Sequence, residues 1–226
     1  MLFYTGKGDS GESHIGNTKI DKTCLDIEVL GNLDELNSFL GLTRNQHIQE
    51  EHSSIIRQVQ EDLFIIQAYV ASIMIGGHEP PTFPQEKTTI LEDHIARIEA
   101  QVQPEPKFVV PGETKQSAWL DVTRTLARKT EVAMLRLNKE KKLEPTILSY
   151  LNRLSSLLYA LARAEVKKAD KQEKEEIIKR FRKKRGATHR NMRQLDLLTH
   201  LRGAPWFLFA YFQLYGKHLS KIKIYF

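Results

Sequence analysis

Between residues 51 and 75, Ile55, Ile56, Val59, Leu63, Ile66, Tyr69, Val70 and Ile73 recur at three- and four-residue spacing. On a helix of about 3.6 residues per turn this spacing stacks them along one side. A helix with so continuous an apolar face must bury it against other helices. The same rhythm predicts a helix over 87–103, with Ile90, Leu91, Ile95, Ile98 and Val102 on one side, and another over 117–137. A further helix is predicted over 145–168, striped by Leu151, Leu154, Leu158 and Leu161. Asn32 is placed to cap a helix, with Glu35 at the capping-box position and Leu33, Leu36, Phe39 and Leu40 behind it. Residues 1–31, rich in Gly, Ser, Thr and Asp, read as a loop with a short extended piece near 25–30. The stretches GGHEPPTFP (76–84) and PEPKFVVPG (104–112) break the helices. The expected fold is all-α: a five-helix bundle over 1–168, with a long N-terminal loop and a basic, partly helical extension over 169–226.

A chain of 226 residues is long enough for one domain with a full core and an extension. Its single cysteine, Cys24, excludes an internal disulfide and a cysteine-rich zinc site and suits a reducing compartment, so a cytoplasmic location is expected. The first residues show no basic stretch followed by an apolar one, so no secretory signal is expected. No apolar run approaches the roughly 20 residues that span a bilayer. Charge is uneven. Residues 167–226 carry 16 Lys and Arg against 5 Asp and Glu, whereas the rest carries 18 against 23. The basic end suits an anionic surface or a solvated helix. The aromatic block WFLFAYFQLY (206–215) is too short to span a membrane and calls for cover from the bundle, a partner or a membrane surface.

Gly6, Gly8 and Gly11 satisfy G-x-G-x-x-G, but no strand precedes them and no helix pattern follows, so a dinucleotide fold is not implied. Glycines that turn backbone N–H groups together still suit an anion. Ser13 can donate to phosphate, Lys7, Lys19 and Lys22 supply positive charge, and Asp9 can orient donors or approach magnesium. A solvated N-terminus explains these residues equally well. Asp121, Arg124, Arg128 and Glu131 share one helix face, while Trp119, Val122 and Leu126 point elsewhere and can pack. Guanidinium forks suit a triphosphate, and a solvated salt-bridged face explains the same spacing. Asn152 and Arg153 are polar positions within an otherwise apolar stretch.

Four segments, in order, resemble the PduO-type ATP:corrinoid adenosyltransferases. YTGKGDSGES is similar to Y-T-x-x-G-D-x-G-x-[ST], and Lys22 follows it where the family has a basic residue. EVLGNLDELNS resembles E-x-x-G-x-x-D-E-L-N-S. FVVPG, followed by RTLARKTE, resembles F-x-x-P-G and R-x-x-x-R-x-x-E. YLNRLSSLLY resembles Y-L-N-R-L-S-D-x-L-F. Together they cover residues 3–165.

The resemblance implies a trimer of five-helix bundles with ATP and corrinoid at the subunit interfaces. It implies that Thr5, Gly8, Asp9, Gly11, Ser13 and Lys22 wrap ATP. It also implies that Glu28, Arg124, Arg128, Glu131 and Asn152 hold the nucleotide and its Mg²⁺, with Glu131 nearest the metal. Asp34 matches an acid paired with the arginine at Arg128 across the interface. Phe108 matches an aromatic under the corrin that displaces the lower cobalt ligand, so Phe108, Arg128 and Asp34 are the expected catalytic set. A corrinoid reductase and an adenosylcobalamin-dependent enzyme are the partners such an activity implies. Several positions depart from the pattern: Gly6 and Lys7 where a basic residue followed by Thr is common, Glu12 where Thr is common, Lys129 where arginine is frequent, and Ser156 where the family has aspartate. Ser156 and Glu12 motivate an alternative expectation, a non-catalytic ATP- or corrinoid-binding carrier or sensor. A nucleic-acid or membrane-surface binder working through the basic end is a third.

Overall fold

In the computed structural model, the described residues are 6, 8–15, 18–77, 79–103 and 108–185. Five helices carry most of them: α1 (Leu25–Arg44), α2 (Glu50–Ile75), α3 (Glu86–Val102), α4 (Lys115–Lys141) and α5 (Pro145–Arg185). Two short strands, β1 (Glu12–Ile15) and β2 (Thr18–Asp21), precede them as an antiparallel hairpin that pairs Ser13 with Ile20. The chain divides into two compact units, Met1–Glu173 and Lys174–Phe226. The described part of the second is the end of α5. Thr5, Lys7 and the aromatic block 206–215 lie outside the described residues.

The apolar stripes become the core. Val29, Leu33, Leu36 and Leu40 of α1, Ile56, Leu63 and Ile66 of α2, and Leu151, Leu154, Leu158 and Leu161 of α5 lose essentially all solvent contact. Each such side chain contributes about 1.5–3 kcal/mol of transfer free energy. Helix α1 packs closely on both α4 and α2. Polar bonds cross the same seams: Thr43 and Thr123 share a buried hydrogen bond of 2.8 Å, and Thr130 donates to the Asn32 carbonyl.

The N-terminal third differs from the sequence expectation. Leu25–Leu30 is the first part of α1, and the residue before it is Cys24. Asn32 is therefore not a cap but a buried residue inside the helix, and Glu35 reaches across to Lys129 at 2.7 Å instead of back to the chain. Val29 at zero exposure explains the shift, because it extends the apolar stripe by a turn. Glu12–Ile15 and Thr18–Asp21, expected as loop, pair as the two strands. Helix α4 starts earlier than 117: Thr114 accepts from the Ser117 amide and Ser117 Oγ accepts from the Thr114 amide, a reciprocal cap. Val122, expected to pack, is exposed.

Two charged networks lock the helices from within. Asp62, on α2, accepts from Lys87 at 2.5 Å and from the Tyr150 hydroxyl at 2.9 Å, joining α2, α3 and α5. His52 Nδ1 lies 2.6 Å from Glu165 Oε1, and the Gln49 amide donates to the same oxygen at 2.9 Å.

Candidate functional site

The glycine-rich segment is shaped by its own backbone. Gly6 and Gly11 have φ of 70° and 84°, in the left-handed region that glycine enters without strain. The Asp9 amide donates to the Gly6 carbonyl and the Gly11 amide to the Gly8 carbonyl, giving two successive tight turns. Lys22 then closes the segment twice. Its amide donates to the Gly11 carbonyl at 3.0 Å and its ammonium to the Gly8 carbonyl at 2.6 Å. Gly8, Asp9, Gly11 and Lys22 are thus brought together, and Ser13 follows on β1. The negative charge of Glu12 is countered locally: it is ion-paired to Lys19, and that hydrogen bond holds its carboxyl below the usual range.

A second group of predicted residues meets on α4 and α5. An open cleft of about 320 Å³ is lined by Arg124 and Arg128 from α4, by Ser156, Tyr159 and Arg163 from α5, and by Glu99 from α3. Arg128 is exposed and has no hydrogen-bond or ion-pair partner among the described residues. One turn further along α4, Glu131 accepts from the Asn152 amide at 2.7 Å. Arg153 donates to Asn152 Oδ1 and to Glu92, fixing the α5 side of this face.

The remaining predicted residues sit on other surfaces. Glu28 pairs with Arg136 at 2.9 Å on the α1–α4 seam. Asp34 is exposed on α1 with no partner among the described residues. Phe108 is fully exposed, as is most of Val110, on the segment that leads into α4. Among the described residues, no hydrogen bond or ion pair joins the hairpin segment to the cleft or joins Asp34 to Arg128.

Sequence reasoning missed Asp121 as a buried acceptor and missed Arg163 altogether. Asp121 Oδ2 accepts from Arg163 at 2.9 Å, forty-two residues away, a contact that no local pattern announces.

Comparison with known proteins shows the family. A sequence model of the family described as cobalamin adenosyltransferase matches residues 3–165. The corrinoid adenosyltransferase PduO of Salmonella typhimurium is 36% identical over 171 residues, a match covering 73% of this chain and 50% of that protein. The chain thus spans about half the length of that relative. The corrinoid adenosyltransferase of Bacillus subtilis is 32% identical over 167 residues, covering 72% of this chain and 86% of that one. Among solved structures, a phenylalanine-to-alanine variant of the PduO-type ATP:corrinoid adenosyltransferase from Lactobacillus reuteri, complexed with cobalamin and ATP, superposes with a TM-score of 0.67 at 28% identity. That superposition covers 72% of this chain and 92% of the other. An arginine-to-lysine variant from the same organism, complexed with ATP, gives a TM-score of 0.65 at 30% identity, covering 72% of this chain and 92% of the other.

Proposed function

The chain belongs to the cobalamin adenosyltransferase family, and on that footing we propose that it transfers the 5′-deoxyadenosyl group of ATP to the cobalt(I) of a corrinoid. In the balanced step, the cobalt(I) electron pair forms a bond to the 5′ carbon. The bond from that carbon to the bridging oxygen breaks, and triphosphate leaves with its electrons. Cobalt is itself the nucleophile, so the protein needs no activated serine, cysteine or general base. Its task is to align the 5′ carbon and to neutralise the leaving group.

The observation that carries the reading is the cleft in which Arg124 and Arg128 stand together, with Arg128 uncommitted to any other described group. A guanidinium on a rigid helix can take a triphosphate oxygen pair without rearrangement. The turns made by Gly6, Gly8, Asp9 and Gly11, clamped by Lys22, suit the nucleotide's phosphates; Ser13 follows with a hydroxyl, and the resemblance assigns Thr5, outside the described residues, to the same role. The two Lactobacillus variants alter a phenylalanine and an arginine twenty positions apart, the separation of Phe108 and Arg128 here, which supports assigning these two the corrin-facing and triphosphate-facing roles. An exposed aromatic such as Phe108 can exclude water and base from the lower face of the cobalt and so ease its reduction to cobalt(I).

Magnesium fits this site in a limited way. Among the described residues no group of three metal-ligating side chains comes together. Glu131, held by Asn152, offers a single carboxylate, which suits an ion bound mainly by phosphate oxygens and water. Bound there, the ion would offset charge on the departing triphosphate.

The working unit is proposed to be a homotrimer, with Asp34 facing an arginine of a neighbouring copy. The exposed Val122, Val132 and Leu135 of α4, and the lack of any described partner for Asp34 and Arg128, support it. Cytoplasmic location suits the single cysteine. A reductase that supplies cobalt(I) and an adenosylcobalamin-dependent enzyme that takes the product are the partners this chemistry needs. The bundle (1–168) is proposed as the catalytic part and the basic extension (169–226) as a contact to an anionic surface.

The test is a spectrophotometric assay with ATP, Mg²⁺ and chemically reduced cobalamin. Conversion of the cobalt(I) spectrum to that of adenosylcobalamin, lost in Arg128→Ala, is expected. ATP binding without conversion, restored by Ser156→Asp, would favour the carrier or sensor reading, which Ser156 on the cleft wall motivates.

A further inference from the structure

Three segments converge on one buried carboxylate. Asp121, on α4, retains only 5% of its surface. Its Oδ2 accepts from Arg163 Nη2 at 2.9 Å and from the Gly112 backbone amide at 3.3 Å. Its Oδ1 lies 3.9 Å from Arg124 Nε, one turn along the same helix. Arg163, on α5, is itself almost wholly buried. Its guanidinium carbon stands 5.4 Å from the Tyr159 ring centroid, and its Nη1 is 3.7 Å from Glu113. A buried charge is tolerated only with such partners, so this arrangement is strongly determined.

The backbone of the Phe108 segment is built to reach this carboxylate. Gly112 has φ of 92°. A Cβ there would meet Ala118 only at 3.8 Å, so the dihedral rather than lack of space demands glycine. That dihedral turns the Gly112 amide onto Asp121 immediately after Pro111, whose ring fixes its own φ. The Nε atoms of Arg124 and Arg163 are both buried with no hydrogen-bond partner among the described residues. Both arginines line the cleft; Arg163 is hydrogen-bonded to Asp121 through Nη2, whereas Arg124 is only within ion-pair range of it through Nε.

We propose that Asp121 is a positioning residue that ties the Phe108 segment to Arg124 and Arg163, fixing the corrin-facing and triphosphate-facing parts of the site as one unit. Asp121 touches no substrate and works through Gly112 and the two guanidiniums. The proposal rests on the adenosyl-transfer reading for its kinetic consequence and on the geometry alone for its structural one.

Asp121→Asn keeps the shape and removes the charge. Hydrogen exchange should accelerate about tenfold at residues 108–113, a loss of the order of one charge-assisted bond, while the amides of mid-α4 stay unchanged. kcat should fall about tenfold or more with the Kd for ATP, measured by calorimetry, within threefold of wild type. In a cycle with Phe108→Ala the two losses should combine to less than their product, because the part of the Asp121 effect that passes through Gly112 is already lost with Phe108 while the part carried by the two guanidiniums remains. Gly112→Ala, strained at its positive φ, should reproduce the loss. If Asp121→Asn does not fold, Arg163→Lys, which keeps the charge and loses the fork, carries the same expectations. Unchanged exchange at 108–113, equal acceleration throughout α4, or additive effects in the cycle would each overturn the proposal. A wild-type protein without transfer activity would overturn the functional reading instead, and the exchange measurement would still decide whether Asp121 makes the tie.

Discussion

The ammonium of Lys22 sits 2.6 Å from the carbonyl oxygen of Gly8, and a Cβ on Gly8 would lie 2.7 Å from that same nitrogen. The glycine is therefore what lets the lysine close the turn, and the two positions act together. Gly8→Ala would push the flexible end of Lys22 aside rather than disturb the helices. We expect the KM for ATP to rise about tenfold, as for loss of one charge-assisted contact. The melting temperature should stay within a degree or two, since Lys22 is exposed. An unchanged KM would separate Lys22 from nucleotide binding.

Arg128 is exposed and bonded to no described group, so removing it should leave the fold intact. Arg128→Ala is expected to lower kcat about 10²–10³-fold, the scale of a lost charge-stabilising donor. Arg128→Lys should recover part of that loss, because the charge remains without the fork. Steady-state rates for both variants, with thermal melts alongside, check this. A melt shifted by several degrees would give Arg128 a structural role.

Phe108 is fully exposed and packs on none of the described residues. Phe108→Ala should therefore leave stability within about 0.5 kcal/mol of wild type. ATP affinity should be unchanged, while the rate of corrinoid adenosylation falls by about two orders of magnitude. Calorimetry with ATP and turnover with reduced cobalamin separate these effects. Weakened ATP binding would move Phe108 out of the corrin-facing role.

The His52–Glu165 pair predicts a pH signature. Burial alone would raise the Glu165 carboxyl. Hydrogen bonds from His52 and the Gln49 amide, with the His52 and Lys168 charges, outweigh it and hold the carboxyl below its ordinary value. A depressed folded-state pKa contributes stability above about 4.5, and that contribution fades as pH falls from there through the folded value. Glu165→Gln should cost about 2 kcal/mol at pH 7, as one buried partner is lost and one hydrogen bond is kept. The gap between the two proteins in chemical denaturation should narrow from pH 5 to pH 3. A constant gap would mean that Glu165 titrates alike in both states.

The helices that were legible in the sequence are those whose apolar stripes run uninterrupted, such as Ile55 to Ile73 of α2 and Leu151 to Leu161 of α5. Periodicity failed where polar residues serve the interior. Asn32 has the chemistry of a cap, yet the α1–α4 seam buries it, because Val29 one turn earlier already faces the core. The hairpin of β1 and β2 went unread because its strands are only four residues long, too short for the alternation in Thr18–Asp21 to stand out. At the site, Arg124, Arg128, Glu131 and Asn152 were visible because helical spacing and motif order placed them. The convergence of Gly112, Asp121 and Arg163 was not, since it joins a loop to two helices, and only the folded chain brings them within hydrogen-bond distance.

The most direct test of adenosyl transfer is product analysis of a single turnover, with the protein mixed with ATP, Mg²⁺ and stoichiometric cobalt(I) corrinoid. The account predicts one intact inorganic triphosphate for each adenosylcorrinoid formed, with the cobalt–carbon bond on the 5′ position. ATP that binds and is recovered unchanged beside unmodified corrinoid, or that yields ADP and phosphate, would contradict it.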